Sequence, residues 1–566
     1  MNTTPAIVTQ AGAARLPRLA LLSLCVVYVL AGFVGRSGWK FADMGALGYM
    51  AELAWGHADW WHPSLVGMAS EQGALLPYWL GAWMLQWGGS GLEAQSLARI
   101  PFMLALGAAM AAHWYGTYYL ARSPRAQPVV FAFGGEAKTT DYARSIADGG
   151  LLAFIACLGL APMAHETSPE LMQLAFVALF LSGVSALPWR PQRACIAITL
   201  SLLGLCISGA PTLALIFGLG AMVFELSQLF FTVDHTPGLY RGKAGVIVLL
   251  ISTLACGAIA STLDLWRWKL DVPLHLASPW QGYTELLLWF LWPAWPLALW
   301  TLWVWRRQLW SLHASRHLAL PLLVLLTVLV ASWCMNSSEH TLLLALPAIS
   351  SLAAFALPTL KRQVASLIDW FTLLFFTGWG LVLWVHFIAM LTGIPANPAT
   401  NIARLAPGFE AQFSWLALCV AGIATVAWGR LVHWRVGRHR GELWRSLVLP
   451  AGGIAWCWTL MMSMGIALFD YTQSYDRWAP LVAKHINAPG CVRAEQLNIG
   501  EIAALRWIGK LPIGTATLRN DCPWLLVPPG PKQSLPAHID TAVWEDKALV
   551  LHPADSNIGV WVLQRR

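Results

Sequence analysis

The sequence predicts a mainly α-helical membrane protein: a polytopic bundle of about thirteen transmembrane helices, further helices lying in the outer interface, and a small C-terminal α/β domain. Three observations predict it. Of 566 residues, 57% are hydrophobic and only 11% are charged, against about 25% charged in soluble domains. Long apolar runs recur as far as residue 468 and then stop. The Lys and Arg residues between those runs gather in alternate loops.

A spanning helix needs roughly 20 mostly apolar residues. The candidates are Leu19–Gly35, Ile100–Leu120, Gly149–Met163, Leu171–Leu187, Cys195–Ile207, Thr212–Phe231 and Val246–Leu263, then Leu286–Trp305, Leu318–Cys334, Thr341–Leu357, Leu367–Leu391, Phe413–Trp428 and Leu447–Leu468. The short ones require tilt or local thinning of the bilayer. Leu19–Val34 has no small-residue cleavage site after it and reads as an uncleaved first helix.

With the N-terminus inside, after Arg15 and Arg18, the inner loops hold Arg122, Arg125, Lys138, Arg144, Arg190, Arg193, Arg241 and Lys243. Further along they hold Arg306, Arg307, Arg316, Lys361, Arg362, Arg430, Arg435, Arg438, Arg440 and Arg445. The opposite short loops hold Arg267, Lys269 and Arg404. This asymmetry is the positive-inside pattern, and it puts the C-terminus outside. The net charge of +8 is therefore a topology signal and not a nucleic-acid-binding stripe.

The expected domains are a membrane module over 1–469, with a first outer loop over about 36–99, and a tail domain over 470–566. In the outer loop, GYMAELAWGHADWWHP and PYWLGAWMLQW are aromatic and half apolar, and read as interfacial helices; the 34 Trp suit membrane–water interfaces. The tail has ordinary polarity, Pro/Gly turns and short alternating runs. Of 10 Cys, eight lie in apolar runs. Cys491 and Cys522 lie in the tail, where a disulfide is reasonable outside the cytoplasm.

The residues that can carry chemistry are acids on the outer side. Asp43, Glu52, Asp59, Glu71 and Glu93 lie in the first loop. The HETSPE turn adds His165, Glu166 and Glu170, with no Lys or Arg to neutralise them. Two carboxylates reaching one cavity from different loops can act as base and orienting partner for a hydroxyl nucleophile. The plainer reading is solvated acids, with Glu170 near a helix N-terminus where the dipole favours it. His57 and His62 flank Trp60 and Trp61 as an interfacial belt rather than a metal site. No Cys or His cluster has metal-ligand spacing, and there is no nucleophile elbow or phosphate-binding loop. No cofactor is expected, and a divalent metal stays open.

The order of features resembles glycosyltransferase family 39 of the GT-C fold, the family of bacterial aminoarabinose (lipid A) transferases and protein O-mannosyltransferases. Asp43 falls on the family's first loop acid, Asp59–Trp60 on its Asp-Trp, Tyr78–Trp79–Leu80 on its Tyr-Trp-Leu, and Arg99 and Pro101 on its Arg and Pro. Glu170 or Glu166 falls on its second acid. LLLALPAISSLAA, LIDWF, AMLTGIP, LAPGF and DYTQSY resemble its later segments, most closely in the transferase-like proteins of beta-proteobacteria. Met44 and Gly73 stand where the family usually has a second acid and a phosphate-binding Lys.

The resemblance implies transfer of a sugar from a polyprenyl-phosphate donor to lipid A, another envelope glycan or a protein, at the periplasmic face of a bacterial inner membrane. Asp43 would be the base or would orient the acceptor, with Glu170 or Glu166 as the second carboxylate. Arg99, Lys40 or Arg36 would hold the donor phosphate, since a partly dry phosphate needs cationic donors. Tyr78 and His165 would line the substrate cavity. The other readings are a member that has lost catalysis, a lipid-linked-glycan transporter and a glycan ligase. A transporter would place its charges inside the helices near the midplane; a ligase would have its large outer loop late in the chain.

Overall fold

The computed structural model describes residues 4–39, 42–70, 73–88, 93–231, 243–266, 279–309, 315–334, 338–436, 441–487, 490–514 and 522–566. Lys40 lies outside the described residues. Among them, nine helices are long and apolar enough to cross a membrane, and a helix pair bent by 87° makes a tenth span if counted as one.

The chain begins with α1 (Arg18–Phe33), α2 (Ala42–Ala54), a two-stranded hairpin β1 (Ser64–Leu65) and β2 (Met68–Ala69), α3 (Leu76–Trp87) and α4 (Ala94–Ala121). Then come α5 (Thr139–Ala156), the single turn α6 (Leu160–Met163), α7 (Pro169–Ala186), α8 (Pro191–Ile207), α9 (Pro211–Phe231) and α10 (Lys243–Thr262). The bent pair is α11 (Pro279–Phe290) and α12 (Ala294–Val304), followed by the turn α13 (Arg306–Leu309), α14 (Arg316–Trp333) and α15 (Ser338–Leu342). The remaining bundle helices are α16 (Leu346–Ala354), α17 (Arg362–Thr392), α18 (Ala396–Leu405), α19 (Trp415–Val436) and α20 (Val448–Met464).

Each of the thirteen expected spans overlaps a helix, although only nine, or ten with the bent pair, are long and apolar enough to cross among the described residues. α1 and α8 are apolar but short. The largest displacement is at α5, which starts at Thr139 and not near Gly149. Its first half carries charge that hydropathy argues against, but Asp148 is satisfied: its carboxylate accepts from Trp114 Nε1 (2.8 Å) and from the Leu16 N–H (3.0 Å). The break after α5 is also satisfied. The Leu158 and Gly159 N–H groups donate to the carbonyls of Trp292 and Phe290, both at 3.0 Å, so the two interrupted helices interlock at their breaks.

Helices α4, α5 and α7 approach closely at small residues. A Cβ on Gly116 would stand 3.3 Å from the Ser182 backbone, and one on Gly150 would stand 2.9 Å from Thr117 Cγ2. Lipid gives helices no hydrophobic reason to associate, so such close packing is what holds them. One ionic contact ties two of the helices: Glu225 of α9 receives both arms of Arg316 of α14 (2.6 and 2.9 Å).

The expectation for the first outer loop holds only in part. α3 is a helix with one buried side, but α2 is enclosed from Asp43 through Leu53. It is not interfacial. The tail covers it.

That tail comprises α21 (Ile466–Gln473), α22 (Trp478–Lys484), β3 (Val492–Ala494), α23 (Ile499–Trp507), β4 (Ile513–Gly514), β5 (Trp524–Val527), β6 (Trp544–His552) and β7 (Asp555–Arg565). The five strands order as β4-β3-β5-β7-β6. β3 is parallel to β4 and β5, and β7 is antiparallel to β5 and β6. α23 begins at a capping box in which Asn498 and Glu501 exchange side-chain-to-backbone bonds (2.9 and 3.0 Å), a strong local start signal. Cys491 and Cys522, which precede the parallel neighbours β3 and β5, are disulfide-bonded. The core is continuous from the bundle into this sheet, through the fully buried Trp478. α23 lies on α2 so tightly that a Cβ on Gly48 would come within 2.6 Å of Ala503 Cβ.

Candidate functional site

Between α1 and α2 the chain turns at Gly35 (φ +74°) and folds Arg36 inward. Asp43 occupies the first turn of α2. Arg99 lies in the second turn of α4, directly before the apolar run that begins at Ile100. All three are buried, with Arg36 4%, Asp43 1% and Arg99 1% exposed.

Asp43 is surrounded by donors. Its Oδ2 accepts from Arg36 Nη2 at 2.7 Å and from the Trp39 N–H at 3.0 Å, with Arg99 Nη2 at 3.6 Å. Its Oδ1 accepts from the Thr167 N–H at 2.9 Å and the Thr167 hydroxyl at 2.5 Å. Arg99 Nη1 donates to the Arg36 carbonyl. Burial alone would push the Asp43 carboxyl up; the two guanidinium groups and the Thr167 bonds outweigh it and hold the group at about 2.

The arginines are less fully used than the acid. Arg36 Nε and Nη1 and Arg99 Nε and Nη2 are buried with no hydrogen-bond partner among the described residues. A buried polar group left unpaired costs about 1–3 kcal/mol. Arg99 Nη2 is within ion-pair distance of Asp43; the other three donor nitrogens lie on two planar guanidinium groups, the group type that recognises phosphate or carboxylate oxygens.

The structure thus brings together Asp43, Arg36, Arg99 and the HETSPE turn, through Thr167. Glu166 pairs with His340 of α15 (2.9 Å). Glu170 sits in the first turn of α7, 6% exposed, close enough to His340 for their charges to interact.

The two expected cavity residues, His165 and Tyr78, are both buried. His165 is fully buried between Tyr28, Phe33 and Trp458. Its ring nitrogens lie 2.7 Å from the Ala161 carbonyl and 3.0 Å from the Tyr28 carbonyl, which fastens the turn to α1. Tyr78 is buried against Tyr49 (5.1 Å between ring centres), with its hydroxyl 3.1 Å from Ser70 Oγ. Gly73 has φ +60°, so a Lys there would be strained. No group of three His, Cys, Asp or Glu that could hold a metal occurs among the described residues.

Sequence reasoning missed four contributors. They are Thr167, Trp39, His340 and Asp470. Asp470 accepts from the Ser37 N–H (3.2 Å) and from Trp39 Nε1 (2.8 Å).

No known protein-family profile matches the chain, and neither does any curated protein sequence. Solved structures do. The crystal structure of ArnT from Cupriavidus metallidurans bound to undecaprenyl phosphate superimposes with a TM-score of 0.58 at 13% identity, over 96% of this chain and 97% of that one. Its apo state gives 0.59 at 14% identity over the same shares. The chain has the GT-C fold. Within that GT-C frame, the Arg36–Asp43–Arg99 cluster lies where the α1–α2 connection, α4 and the α6–α7 turn meet against the C-terminal segment.

Proposed function

We propose that the protein is a membrane glycosyltransferase that moves a sugar from a polyprenyl-phosphate carrier to a cell-envelope acceptor, lipid A or another envelope component. The observation that carries the reading is the buried pair Arg36 and Arg99, in which Arg36 Nε and Nη1 and Arg99 Nε have neither a hydrogen-bond nor an ion-pair partner among the described residues. The GT-C architecture agrees with it, as does the ArnT structure that holds undecaprenyl phosphate. The basic loops favour an N-terminus in the cytoplasm of a bacterial inner membrane, with Asp43 and the tail in the periplasm.

In this reading Arg36 and Arg99 bind the carrier phosphate and stabilise the charge it gains as it leaves. The acceptor oxygen attacks the anomeric carbon, the bond from that carbon to the phosphate oxygen breaks, and the acceptor's proton passes to a carboxylate. Asp43 suits the base role poorly: both its oxygens are occupied, and it holds its proton only near pH 2. It fits the task of holding the two arginines. The base role is assigned to Glu170, which lies in the first turn of α7, three residues after Thr167.

The test is expression of wild type, Asp43→Asn and Glu170→Gln in a host lacking its own lipid A aminoarabinose transferase, with mass spectrometry of lipid A and envelope glycans. Wild type should add one sugar mass and both variants should lose it. No added mass on any envelope component with wild type overturns the transferase reading; full activity of Glu170→Gln overturns the base assignment.

A further inference from the structure

Arg36 is positioned from the far end of the chain. Asp470, in α21 just after the last bundle helix, receives both the Ser37 N–H and the Trp39 indole N–H on one oxygen, Oδ1 (3.2 and 2.8 Å). Trp39 then acts in two directions. Its backbone N–H reaches Asp43 Oδ2 (3.0 Å), and its ring faces the Arg36 guanidinium, 4.1 Å from centroid to carbon. Ser474, one turn after Asp470, forms a β-bridge with Trp39. The Ser474 carbonyl in turn accepts from His552 Nε2 (2.9 Å), at the end of β6. A continuous set of contacts therefore runs from the tail sheet through Ser474, Asp470 and Trp39 to Arg36.

We infer that Asp470 and Trp39 are positioning residues of the anion site, and that the segment 470–474 is a working part of that site. This rests on the reading of Arg36 and Arg99 as the phosphate-binding pair. Asp470 fixes the indole by its N–H. The indole face then fixes the plane of the guanidinium, and with it the direction of the Nε and Nη1 donors. A guanidinium binds phosphate through two parallel bonds only when its plane is set, and a desolvated cation–π contact is strong enough to set it. Neither Asp470 nor the Trp39 ring needs to touch the ligand.

The experiment uses the full chain purified in detergent and titrated with undecaprenyl phosphate, reading the rise in unfolding temperature to obtain an apparent Kd. Wild type should give a saturable rise, and Arg36→Gln should abolish it. Asp470→Ala and Trp39→Leu should each weaken binding about tenfold, the scale of one lost cation–π contact. Asp470→Asn, whose amide oxygen still accepts both bonds, should stay within about threefold of wild type. A purely structural role would lower the starting unfolding temperature of Asp470→Ala and leave its Kd unchanged; that result overturns the inference. If Asp470→Ala does not fold, Trp39→Phe decides: it keeps the ring but loses the indole N–H, and wild-type affinity there overturns the inference. No saturable effect with wild type would instead defeat the anion-site reading itself.

Discussion

Thr167 grips a single oxygen of Asp43 twice, with its N–H at 2.9 Å and its hydroxyl at 2.5 Å, while the arginines take the other oxygen. The division of labour ties the α6–α7 turn to α2 and leaves Asp43 with no oxygen for a substrate. Thr167→Val removes the hydroxyl but keeps the N–H. It should lower stability by about 1–3 kcal/mol, since it leaves part of a buried carboxylate unbonded. Asp43→Asn should cost more, about 3–5 kcal/mol, because two buried cations lose their anion. Thermal unfolding in detergent measures both; equal effects would show that the arginines do not depend on Asp43.

Acid should reveal the same carboxylate. Asp43 is held at about 2, below its ordinary 3.8. A group depressed by folding stabilises the fold above its unfolded pKa and loses that contribution as pH falls through the folded one. Wild type should therefore lose about 2 kcal/mol between pH 4 and pH 2 that Asp43→Asn does not lose. Urea unfolding of the two proteins across that window checks it.

The tail is pinned to α2 by an ion pair. Both oxygens of Glu52 receive Arg506 of α23, one of them at 3.1 Å, and Glu52 is buried. Arg506→Met should cost about 3 kcal/mol by stranding that carboxylate. Adding Glu52→Gln should restore part of the loss, with a coupling of about 0.5–3 kcal/mol for groups in contact. Simple additivity of the two changes would contradict the pairing.

Packing of α23 on α2 gives a steric counterpart. With Ala503 2.6 Å from the position of a Cβ on Gly48, Gly48→Ala should destabilise by about 1–3 kcal/mol. Ala503→Gly in the same chain should relieve it. Unfolding temperatures of the single and double variants decide the matter.

The bundle was legible because hydropathy and loop charge are carried by consecutive residues. The errors fall where structure depends on distant partners. α5 starts early because Trp114 and Leu16 satisfy Asp148, which no local window can register. α2 is short and only partly apolar, so it reads as interfacial; nothing within it announces that α23 will cover it. The site divides the same way. Asp43, Arg36 and Arg99 stand out as charges in an apolar sequence. Thr167 lies 124 residues from Asp43, and Asp470 lies 433 residues from Ser37, and each is ordinary where it stands. Glycine at 73 reads as a missing cation, yet two arginines from other elements meet beside Asp43.

The β-bridge between Trp39 and Ser474 also sets an order of assembly. The loop that carries Arg36 is made well before its partners. At ribosomal rates of about 5–20 residues per second, the 431 residues separating Trp39 from Asp470 take roughly 20–90 seconds to synthesise. Throughout that interval the Arg36 loop has yet to meet its tail contacts. Maturation of the protein thus waits on the segment that follows α20, and a chain cut short after α20 would be a membrane-inserted bundle with an unfinished centre.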